Sequence, residues 1–554
     1  MKILIIGGVA GGATAAARAR RISETAEITL LERGPYVSYA NCGLPYFISG
    51  DIQKRSKLLL QTPEGFDSRY GVKVLVDTEA LEIDRQGKRV RAKGPEGEAW
   101  LAYDALILAQ GGNPVMPPID GIGSPNVFRL WTVPDMDRIQ EFIERQAPKS
   151  AVIAGAGFIG LEMAEAFVKR GISVSVVELL PTVMANMDPE FGGLVRERLE
   201  SHKVHVLTGV GIAAVHPQSA EVLLTDGSRV PGDIVMVSVG VRPELALARQ
   251  AGLAIGKTGG LQVDEHLQTS DPSIWAAGDM NEIVNRVSGR RARIPLAGPA
   301  NRQGRIAASN ALGVPMTYNG ALASSVLKIF DATAAFTGLT ETAAREAGFD
   351  VGAAVVVRDH HAGYYPGAKG LVLKLVYERP TARLLGAQAF GEEGVEKRID
   401  ALAVALQGKM TLHDLAEMDL TYAPPYSSAN DPINMAAFVG ENDLSDYSPL
   451  ITAPQLKRLL EGPAAARPMV LDVRNLNEYD SSHVKGSLNI AVDELRFRLE
   501  EVPRGRPIVV HCKSGFRSHL ALRILKENGW TDLRNLTGGY VIVMALGGFD
   551  TEEG

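Results

Sequence analysis

The pattern that most constrains the fold of this chain is a strand, a glycine-rich turn and a helix, which occurs twice. The first copy has the apolar stretch Lys2–Ile6 and the turn GGVAGG at residues 7–12, and its next strand, Ile28–Leu31, ends at Glu32. Glycines permit the tight turn, helix N–H groups hold a pyrophosphate, and the acidic residue binds a ribose. The pattern predicts a dinucleotide-binding fold, although Val9 stands where the second glycine belongs.

The second copy of this pattern is complete. The strand Ala151–Ala154 precedes GAGFIG at residues 155–160, and the following strand, Val174–Val177, ends at Glu178. A carboxylate there accepts hydrogen bonds from a free ribose 2′-OH and repels a 2′-phosphate, so it favours NADH over NADPH. A glycine-rich turn without a cofactor is the alternative for either copy alone. The repetition, with an acid in each copy, argues against it.

Three further segments complete a protein with two dinucleotide folds. Ala105–Pro114 and Val235–Pro243 are strand-to-turn elements that would close the two folds. Thr269–Asp279, TSDPSIWAAGD, resembles the second flavin motif of two-dinucleotide flavoproteins, in which the terminal acid, here Asp279, binds the ribityl–phosphate region. The resemblance implies FAD in the first fold and NADH in the second, which is inserted between the two halves of the FAD domain.

Composition limits the class of protein. A chain of 554 residues is expected to form about three to five domains. A net charge of −6 argues against general nucleic-acid binding. The sequence contains no run of 18 apolar residues, so no membrane-spanning helix is predicted. Two cysteines cannot form a disulfide framework, so we expect a reducing, cytoplasmic setting. No metal site is predicted.

Each of the two cysteines lies in its own motif. Cys42 lies in SYANCGLPY, residues 38–46, and Cys512 lies in VVHCKSGFRS, residues 509–518. A free cysteine is most often a small buried hydrophobe. Both cysteines are nevertheless expected in turns between a strand and a helix, where a thiolate can be stabilised. The chain is therefore expected to carry out sulfur chemistry at two sites.

The segment around Cys42 indicates a particular branch of flavoproteins. Standard disulfide reductases carry a Cys-x4-Cys pair beside the flavin, and no second cysteine lies near Cys42. Residues 38–46 instead resemble the single-cysteine branch, notably the coenzyme A-disulfide reductases. The resemblance covers roughly residues 1–440 and includes GYYPG at 363–367 and YAPPYS at 422–427, two segments of that family's dimerisation domain. It implies a homodimer with active sites shared between subunits.

A single thiol determines the chemistry that this resemblance implies. Hydride passes from NADH to FAD, and electrons then pass to a mixed disulfide on Cys42. Without a neighbouring thiol, oxidised Cys42 is a mixed disulfide, a persulfide or a sulfenic acid. The family implies that Tyr364 and Tyr422 of the partner subunit protonate or position the leaving sulfur. Tyr365 and Tyr426 are alternatives in the same motifs, and packed interface aromatics are the other interpretation.

Coenzyme A is expected to bind along the same surface. Arg18 and Arg21 are three residues apart on the first helix and could face one anion, although a charged helix face is often simply solvated. The family comparison adds Ser38, Asn41, Asn301 and Arg302. The residues expected to bind the cofactors are Gly7, Gly8, Ala10, Gly11, Gly12, Glu32, Arg33, Asn41, Asp279, Ala297, Gly155, Gly157, Phe158, Ile159, Gly160, Glu162 and Glu178.

The single-cysteine branch also contains NADH oxidases and peroxidases, which hold the counterpart of Cys42 as a sulfenic acid. Those enzymes typically carry a histidine in the first glycine turn, where it handles peroxide. This chain has Ala10 at that position. The difference favours a sulfur substrate over peroxide.

The pattern changes in the last part of the chain. Glu441–Pro454 is rich in Asn, Asp, Ser and Pro, which predicts a linker. Leu456–Leu460 is expected to form the beginning of a helix. Met469–Arg474 and Pro507–His511 read as strands, and Ser518–Asn528 reads as a helix that follows the Cys512 loop.

This segment of about 100 residues resembles a rhodanese domain. The matching elements are Asp472–Arg474, Glu478–Tyr479, His483–Ser487, the Cys512 loop and Gly538–Tyr540. The Cys-x4-Arg spacing from Cys512 to Arg517 is short enough to wrap one anion, with loop N–H groups and a helix N-terminus pointing inward. Such a cradle suits a persulfide, and Lys513 and Arg517 add positive charge. Some phosphatases share the architecture, but their loops are usually one residue longer, which favours sulfur transfer.

The fold class expected from these features is α/β. It comprises two Rossmann-like dinucleotide-binding domains, an α+β dimerisation domain and a C-terminal α/β rhodanese domain. The expected boundaries are 1–114 and 244–322 for FAD binding, 115–243 for NADH binding, 323–440 for dimerisation, 441–454 for the linker and 455–554 for the rhodanese domain.

The function expected from the sequence is NADH-dependent reduction of persulfides, polysulfides or coenzyme A persulfide at Cys42, coupled to a sulfurtransferase that carries a persulfide on Cys512. Coenzyme A-disulfide reductase is the nearest alternative, since it needs only the first module. An NADH oxidase or peroxidase and a redox-responsive binding protein are further alternatives. The sequence leaves open whether sulfur passes directly between the cysteines or through a coenzyme A carrier.

Overall fold

The computed structural model describes residues 1–553, which form two compact units. Unit 1 contains residues 1–179 and 204–323, and unit 2 contains Leu180–Lys203 and the residues from Ser324 onward. Unit 1 therefore holds both dinucleotide patterns. Unit 2 holds the predicted dimerisation and rhodanese segments together, with one segment from the range predicted to bind NADH.

The strands are, in chain order, β1 (Lys2–Ile6), β2 (Glu27–Leu31), β3 (Val72–Leu75), β4 (Glu79–Asp84), β5 (Arg89–Gly94), β6 (Gly97–Ala102), β7 (Ala105–Leu108), β8 (Gly112–Pro114), β9 (Val127–Phe128), β10 (Ser150–Ala154), β11 (Ser173–Glu178), β12 (His205–Thr208), β13 (Ile212–His216), β14 (Glu221–Leu224), β15 (Arg229–Pro231), β16 (Ile234–Val237), β17 (Val241–Pro243), β18 (Leu261–Gln262), β19 (Ile274–Ala276), β20 (Asn281–Val284), β21 (Arg291–Ala292), β22 (Ser325–Ile329), β23 (Ala332–Gly338), β24 (Val351–Asp359), β25 (Gly370–Glu378), β26 (Leu384–Gly391), β27 (Leu450–Ile451), β28 (Met469–Asp472), β29 (His483–Val484), β30 (Leu488–Asn489), β31 (Ile508–His511), β32 (Leu533–Leu536) and β33 (Thr551–Glu552).

The helices are α1 (Ala10–Ile22), α2 (Leu44–Ile48), α3 (Pro63–Tyr70), α4 (Val133–Gln146), α5 (Phe158–Lys169), α6 (Pro189–Ser201), α7 (Ala246–Gln250), α8 (Ala297–Ala311), α9 (Glu341–Glu346), α10 (Val395–Gln407), α11 (Leu412–Ala416), α12 (Pro432–Leu444), α13 (Ala453–Glu461), α14 (Leu476–Ser481), α15 (Phe516–Glu527) and α16 (Gly539–Leu546). Short 3-10 helices span Asn41–Gly43, Arg55–Leu58, Ala464–Ala466, Leu495–Phe497 and Leu499–Glu501. None of the helices within residues 1–553 is both long and apolar enough to cross a membrane.

The first sheet of unit 1 is parallel, in the order β3-β2-β1-β7-β19. Parallel sheets are covered on both faces, and their strands are correspondingly apolar, as in the fully buried Ala105–Leu108. The helices α1 and α8 pack against each other and against this sheet. They approach closely because both carry glycine at the contact: a Cβ on Gly304 would lie 2.1 Å from the carbonyl oxygen of Gly11.

The second sheet of unit 1 is also parallel, in the order β12-β11-β10-β16-β9. The antiparallel meander β13-β14-β15 shares a valine-rich core with it. The chain enters this fold after β8 and leaves it through β17, and these two strands pair with each other. The second dinucleotide fold is therefore inserted into the first.

Unit 2 contains an antiparallel sheet in the order β22-β23-β26-β25-β24. Lys374, in its strand β25, is fully buried, and its Nζ lies 2.8 Å from Asp188, 2.6 Å from Glu190 and 3.1 Å from Glu341. A buried ammonium needs such carboxylate partners because its desolvation is costly. This cluster attaches the segment carrying α6 to the sheet and accounts for its place in unit 2.

The second sheet of unit 2 is parallel, in the order β27-β32-β31-β28-β30, and it lies in the segment predicted as a rhodanese domain. It packs on the antiparallel domain. Thr537 Oγ1 accepts a hydrogen bond from the Val355 N–H at 2.7 Å and donates one to the Val355 carbonyl at 3.1 Å. A Cβ on Gly193, in α6, would lie 1.6 Å from the carbonyl oxygen of Ala545. Backbone thus meets backbone at this contact.

The structure differs from the predicted linker, Glu441–Pro454. Glu441 to Leu444 form the end of α12, and β27 within this segment pairs with β32 as an edge strand. The polar residues that suggested a loop are partly buried hydrogen-bonding groups. The Asp443 carboxylate accepts bonds from the Leu450 N–H at 2.8 Å and from the Tyr377 hydroxyl at 2.6 Å.

A buried arginine ties together the two loops that carry the candidate tyrosines. Arg398 donates to the Asp431 carboxylate at 2.8 Å and to the His360 carbonyl at 2.7 Å. Ser427 donates to Asp431 at 2.6 Å, and its own carbonyl accepts the N–H of Ala362 at 3.0 Å. Burial would raise the pKa of Asp431, but Arg398 and Ser427 hold it below its ordinary value.

Replacement of this arginine should therefore destabilise unit 2. We expect Arg398→Ala to lower the free energy of unfolding by about 3–5 kcal/mol, because it leaves the Asp431 carboxylate buried without its cation. Denaturant unfolding measures the change. The control is Arg145→Ala, which removes an exposed pair with Glu141 and should cost under about 0.5 kcal/mol. Equal losses in the two variants would contradict the expectation.

Candidate active sites at Cys42 and Cys512

The first glycine turn has the geometry of a tight strand-to-helix connection. Gly7 has φ +101° and donates its N–H to the Leu31 carbonyl at 2.8 Å. A Cβ on Gly12 would lie 1.8 Å from the carbonyl oxygen of Gly7, so only glycine fits there. The Glu32 carboxylate, at the end of β2, accepts the N–H of Gly8 at 2.8 Å. The N-terminus of α1 follows at once and can receive a phosphate.

The second glycine turn repeats this geometry. Gly155 has φ +97°, and a Cβ on Gly160 would lie 2.1 Å from its carbonyl oxygen. Glu178 accepts the N–H of Ala156 at 2.7 Å. Gly157, which occupies the position of Val9 in the first turn, faces open space, since an added Cβ would meet nothing within 4 Å. Phe158 and Ile159 begin the helix α5 beside it.

The residues beside the first turn suit a flavin dinucleotide. A cavity of about 300 Å³ is lined by Gly7, Glu32, Arg33 and Gln110, among others. The Gln110 Oε1 is buried and has no hydrogen-bond partner among residues 1–553, as expected of a group that awaits a ligand. Burial also raises the pKa of Asp279 to about 6. These groups fit a nucleotide that brings its own hydrogen-bond donors.

The remaining candidates around this turn have differing roles. Ala10 begins α1 and Ala297 begins α8, so both lie at helix N-termini. Gly11 instead packs against α8, so its main role is close helix packing. Within residues 1–553, no cluster of His, Cys, Asp or Glu side chains suited to a metal ion is found.

Cys42 is exposed and lies in the 3-10 helix Asn41–Gly43, directly before α2. Partial desolvation by the surrounding protein raises the pKa of its thiol, and the carboxylates of Glu162 and Asp279 raise it further. Glu162 is held by the Tyr46 hydroxyl at 3.1 Å, and burial raises its own pKa to about 7. Burial and the two carboxylates thus both disfavour the charged form of the thiol, and a stabilised thiolate at Cys42 stays a prediction for the cofactor-bound protein.

The candidate coenzyme A residues lie on two neighbouring helices of unit 1. Asn301, on α8, accepts a hydrogen bond from Thr14 of α1 at 2.9 Å, and Arg302 follows it at the surface. Arg18 donates to Ser309, two turns further along α8, at 3.0 Å. Arg21 donates to the carbonyl of its own helix at Ala17, at 3.0 Å. The two arginines therefore have separate partners and do not converge on one point.

Ser38 and Asn41 flank the cysteine segment. Ser38 has φ +49° and donates its N–H to the Gly8 carbonyl at 2.8 Å, which joins this segment to the first glycine turn. Asn41 opens the 3-10 helix that carries Cys42. The segment thus places the Cys42 thiol, a glycine turn and the candidate flavin acid Asp279 in one region of unit 1.

The candidate tyrosines lie in unit 2. The hydroxyls of Tyr364 and Tyr422 are 3.0 Å apart, and this hydrogen bond raises the pKa of Tyr422. Both side chains are exposed, at 77% and 46%. Within residues 1–553, the alternatives Tyr365 and Tyr426 make no such hydroxyl pair, and the Tyr365 ring instead forms a T-shaped contact with the His361 ring. Of the four, Tyr364 and Tyr422 are the two whose hydroxyls form a hydrogen bond with each other.

Cys512 is fully buried at the end of β31, before α15. The Gly515 N–H points to its Sγ at 3.1 Å, and the Ser518 hydroxyl lies 3.5 Å from the same atom. Ser518 is held by Asn535 at 2.7 Å. The sequence pattern does not assign a role to Ser518 or Asn535. The one signal is that Ser518 lies one helical turn after the loop glycine, Gly515.

Arg517 completes the Cys512 loop but is not free. Its two terminal nitrogens donate to the Glu478 carboxylate at 2.6 and 2.8 Å. This pairing, and contact with Cys512, raise the pKa of Arg517, and the same pair lowers the pKa of Glu478 to about 2. Beneath the loop, Arg474 pairs with the buried Asp472 at 2.6 Å. The sequence placed Glu478 in a matching motif without giving it a role.

We expect Glu162→Gln to lower the pKa of the Cys42 thiol. Glu162, with a pKa of about 7, is ionised at the alkaline pH where the thiol titrates, so the substitution removes a negative charge that opposes the thiolate. The pH profile of Cys42 alkylation in a Cys512→Ser background measures the change. Glu96→Gln, at an exposed hairpin position, is the control and should leave the profile unchanged. An unshifted profile in Glu162→Gln would sink the idea.

Three family matches cover most of the chain. Residues 1–304 match the pyridine nucleotide-disulphide oxidoreductase family, residues 324–432 match the dimerisation domain of that family, and residues 452–544 match the rhodanese-like domain. The NAD(P)H sulfur oxidoreductase (CoA-dependent) of Pyrococcus abyssi is 36% identical over 438 residues, which cover 79% of this chain and 97% of that protein.

Two solved structures resemble the whole chain. The crystal structure of reduced Bacillus anthracis CoADR-RHD has a TM-score of 0.94 and 40% identity, with 98% of each chain covered. The NAD-dependent persulfide reductase from A. fulgidus has a TM-score of 0.91 and 38% identity, with 98% of this chain and 100% of that one covered. The family confirms FAD and a pyridine nucleotide as cofactors. The chain belongs to the pyridine nucleotide-disulphide oxidoreductase family and carries a rhodanese-like domain.

Proposed function

We propose that this protein uses NADH and FAD to reduce sulfane sulfur at Cys42, and that Cys512 carries sulfur as a persulfide. The observation that carries the proposal is that both cysteines are free thiols, in two different sites, in a chain with only two cysteines. An isolated thiol beside a flavin site forms a mixed disulfide or persulfide with its substrate. A second isolated thiol in an N–H cradle suits a persulfide anion.

The reaction at Cys42 balances as a two-electron reduction. The Cys42 thiolate attacks the sulfane sulfur of R–S–SH, the S–S bond breaks, and RS⁻ leaves while Cys42 becomes a persulfide. NADH would supply two electrons through FAD, and with two protons these release hydrogen sulfide and restore the Cys42 thiol. The sum is R–S–SH + NADH + H⁺ → RSH + H₂S + NAD⁺. Glu162, with a pKa of about 7, is a group near Cys42 that can hold the proton at neutral pH.

The cofactor assignment follows the two glycine turns. The residues proposed for FAD are those of the first turn, with Glu32 and Asp279. Glu178, at the end of β11, is proposed to bind the ribose of the nicotinamide nucleotide, and its negative charge favours NADH. The P. abyssi relative is named an NAD(P)H sulfur oxidoreductase, so the rates of oxidation of NADH and NADPH should be compared directly.

The tyrosine pair is proposed to act on the leaving sulfur. A hydroxyl pair that shares one hydrogen bond can deliver a proton while its partner stabilises the resulting oxygen. We infer that the protein is a homodimer through residues 324–432, and that Tyr364 and Tyr422 of the partner subunit face Cys42. The match to a dimerisation domain supports the dimer. Two free cysteines suit a reducing, cytoplasmic compartment.

Coenzyme A is proposed as the substrate carrier. The P. abyssi relative is described as CoA-dependent. Arg18, Arg21, Asn301 and Arg302 lie on α1 and α8 of the same unit as Cys42 and offer cations and amides to the phosphates of coenzyme A. A pantetheine arm could then carry sulfur to Cys42.

The decisive experiment compares substrates under anaerobic conditions. We expect faster NADH oxidation with coenzyme A persulfide than with coenzyme A disulfide. A large preference for the disulfide would make the protein a coenzyme A-disulfide reductase instead. Steady NADH consumption with oxygen alone would indicate an NADH oxidase.

Replacing the first thiol should separate flavin reduction from sulfur reduction. We expect Cys42→Ser to abolish turnover of persulfide, because no thiol remains to form the mixed disulfide, while NADH still bleaches the flavin. Anaerobic absorbance spectra and sulfide release measure the two steps. Sulfide release at the unchanged rate would contradict the role of Cys42.

Replacing the second thiol should remove sulfur transfer and leave sulfur reduction intact. We expect Cys512→Ser to remove sulfur transfer from a donor to cyanide, and to spare reduction of small persulfides at Cys42. Thiocyanate formation and NADH oxidation measure the two activities on one preparation. Thiocyanate formed by the variant at the wild-type rate would show that Cys512 is not the carrier.

A further inference from the structure

Arg517 is the cation that contacts the Cys512 thiol among the charged groups described at this loop. Its guanidinium is already paired with an acid. Both terminal nitrogens of Arg517 donate to Glu478, in a bidentate pair that leaves each side chain about a quarter exposed, at 26%. Glu478 is also fixed by its own helix, since Oε2, which accepts from Arg517, also accepts the N–H of Asn475 at 3.1 Å in the capping box of α14. The arginine is therefore held by a rigid partner.

The formal charges of the Cys512 loop and Glu478 cancel before a donor arrives. Lys513, at the surface of the loop, and Arg517 are positive, whereas Glu478 and an ionised Cys512 are negative. The Arg474–Asp472 pair beneath the loop is internally neutral. A donor with one negative charge adds a single charge to this balance. A dianion adds two, and it must compete with Glu478 for the same guanidinium nitrogens.

We propose that Glu478 is a specificity-determining residue of the Cys512 site, which acts through Arg517 to select sulfane donors with at most one negative charge over dianionic donors such as thiosulfate. This inference rests on the proposed role of Cys512 as a sulfur carrier. It names the substrate class as neutral or singly charged persulfides and thiosulfonates. Glu478 is a positioning residue here, since it touches Arg517 and not the reacting sulfur.

Sulfur transfer from both donor classes balances without any redox partner. With thiosulfate, the Cys512 thiolate takes the outer sulfur, the S–S bond breaks, and sulfite leaves with two negative charges. With methanethiosulfonate the same bond breaks, and methanesulfinate leaves with one. In each case Cys512 becomes a persulfide anion, which gives its sulfur to cyanide and returns as the thiolate. The two donors therefore differ chiefly in charge at the reacting end.

The test compares kcat/KM for the two donors, with cyanide as acceptor, in the full-length flavoprotein. We expect Glu478→Gln to raise kcat/KM for thiosulfate about five- to tenfold and to change that for methanethiosulfonate less than about twofold. The glutamine keeps an acceptor for the Asn475 N–H, so the cap of α14 is retained. Asp480→Asn removes the same charge from an exposed position of the same helix and should leave the ratio of the two donors unchanged.

The measurements distinguish failure of the carrier role of Cys512 from failure of the donor selection by Glu478. If the wild-type protein forms no thiocyanate from either donor, the proposed carrier role of Cys512 fails. If it uses methanethiosulfonate but Glu478→Gln leaves the ratio of donors unchanged, the selection by Glu478 is overturned while the carrier role stands. An equal change of the ratio in Asp480→Asn would also overturn it, because the effect would then come from net charge and not from the hold on Arg517.

Discussion

Both dinucleotide folds depend on one backbone contact, in which the last glycine of the turn lies against the carbonyl of the first. At Gly12 and Gly160 a Cβ would come within 1.8 and 2.1 Å of that oxygen, so any side chain would force the helix away from the strand. The contact fixes where α1 and α5 begin. It thereby fixes where their N–H groups point and where the acids Glu32 and Glu178 meet the turn. The position of Cys42 follows from the first of these turns, through the bond between Ser38 and Gly8.

The two thiols lie in electrostatically opposite surroundings. Cys42 lies on a short helix, where partial desolvation and then two nearby carboxylates raise the pKa of its thiol. Cys512 is buried and receives a backbone N–H at 3.1 Å, with a hydroxyl near its sulfur. At the first site, the charged groups that raise the pKa of the thiol are both acids. The second is organised by the chain itself, and its one nearby guanidinium is held by Glu478.

The elements that could be predicted are those whose signal is local. The strands β1, β10, β28 and β31 lie within one or two residues of their predicted positions, and a helix follows each glycine turn as predicted, because apolar runs and glycines act over short stretches of chain. The segment 441–454 could not be predicted correctly. Its Asn, Asp and Ser residues are typical of a loop, and only tertiary partners such as Tyr377 turn Asp443 into a buried acceptor. The same holds for Arg398, whose partners lie far from it in sequence.

The sequence by itself determined the family and the cofactor pair and singled out the two cysteines as candidate sites, because these depend on short motifs of neighbouring residues. Only the tertiary structure decided which tyrosines pair, that Arg18 and Arg21 point to different partners, that carboxylates act on Cys42, and that Arg517 is held by Glu478. The physical reason is distance along the chain. Charge and hydrogen bonding act through space over a few ångströms, and the groups that set them here are brought together by folding from positions tens to hundreds of residues apart.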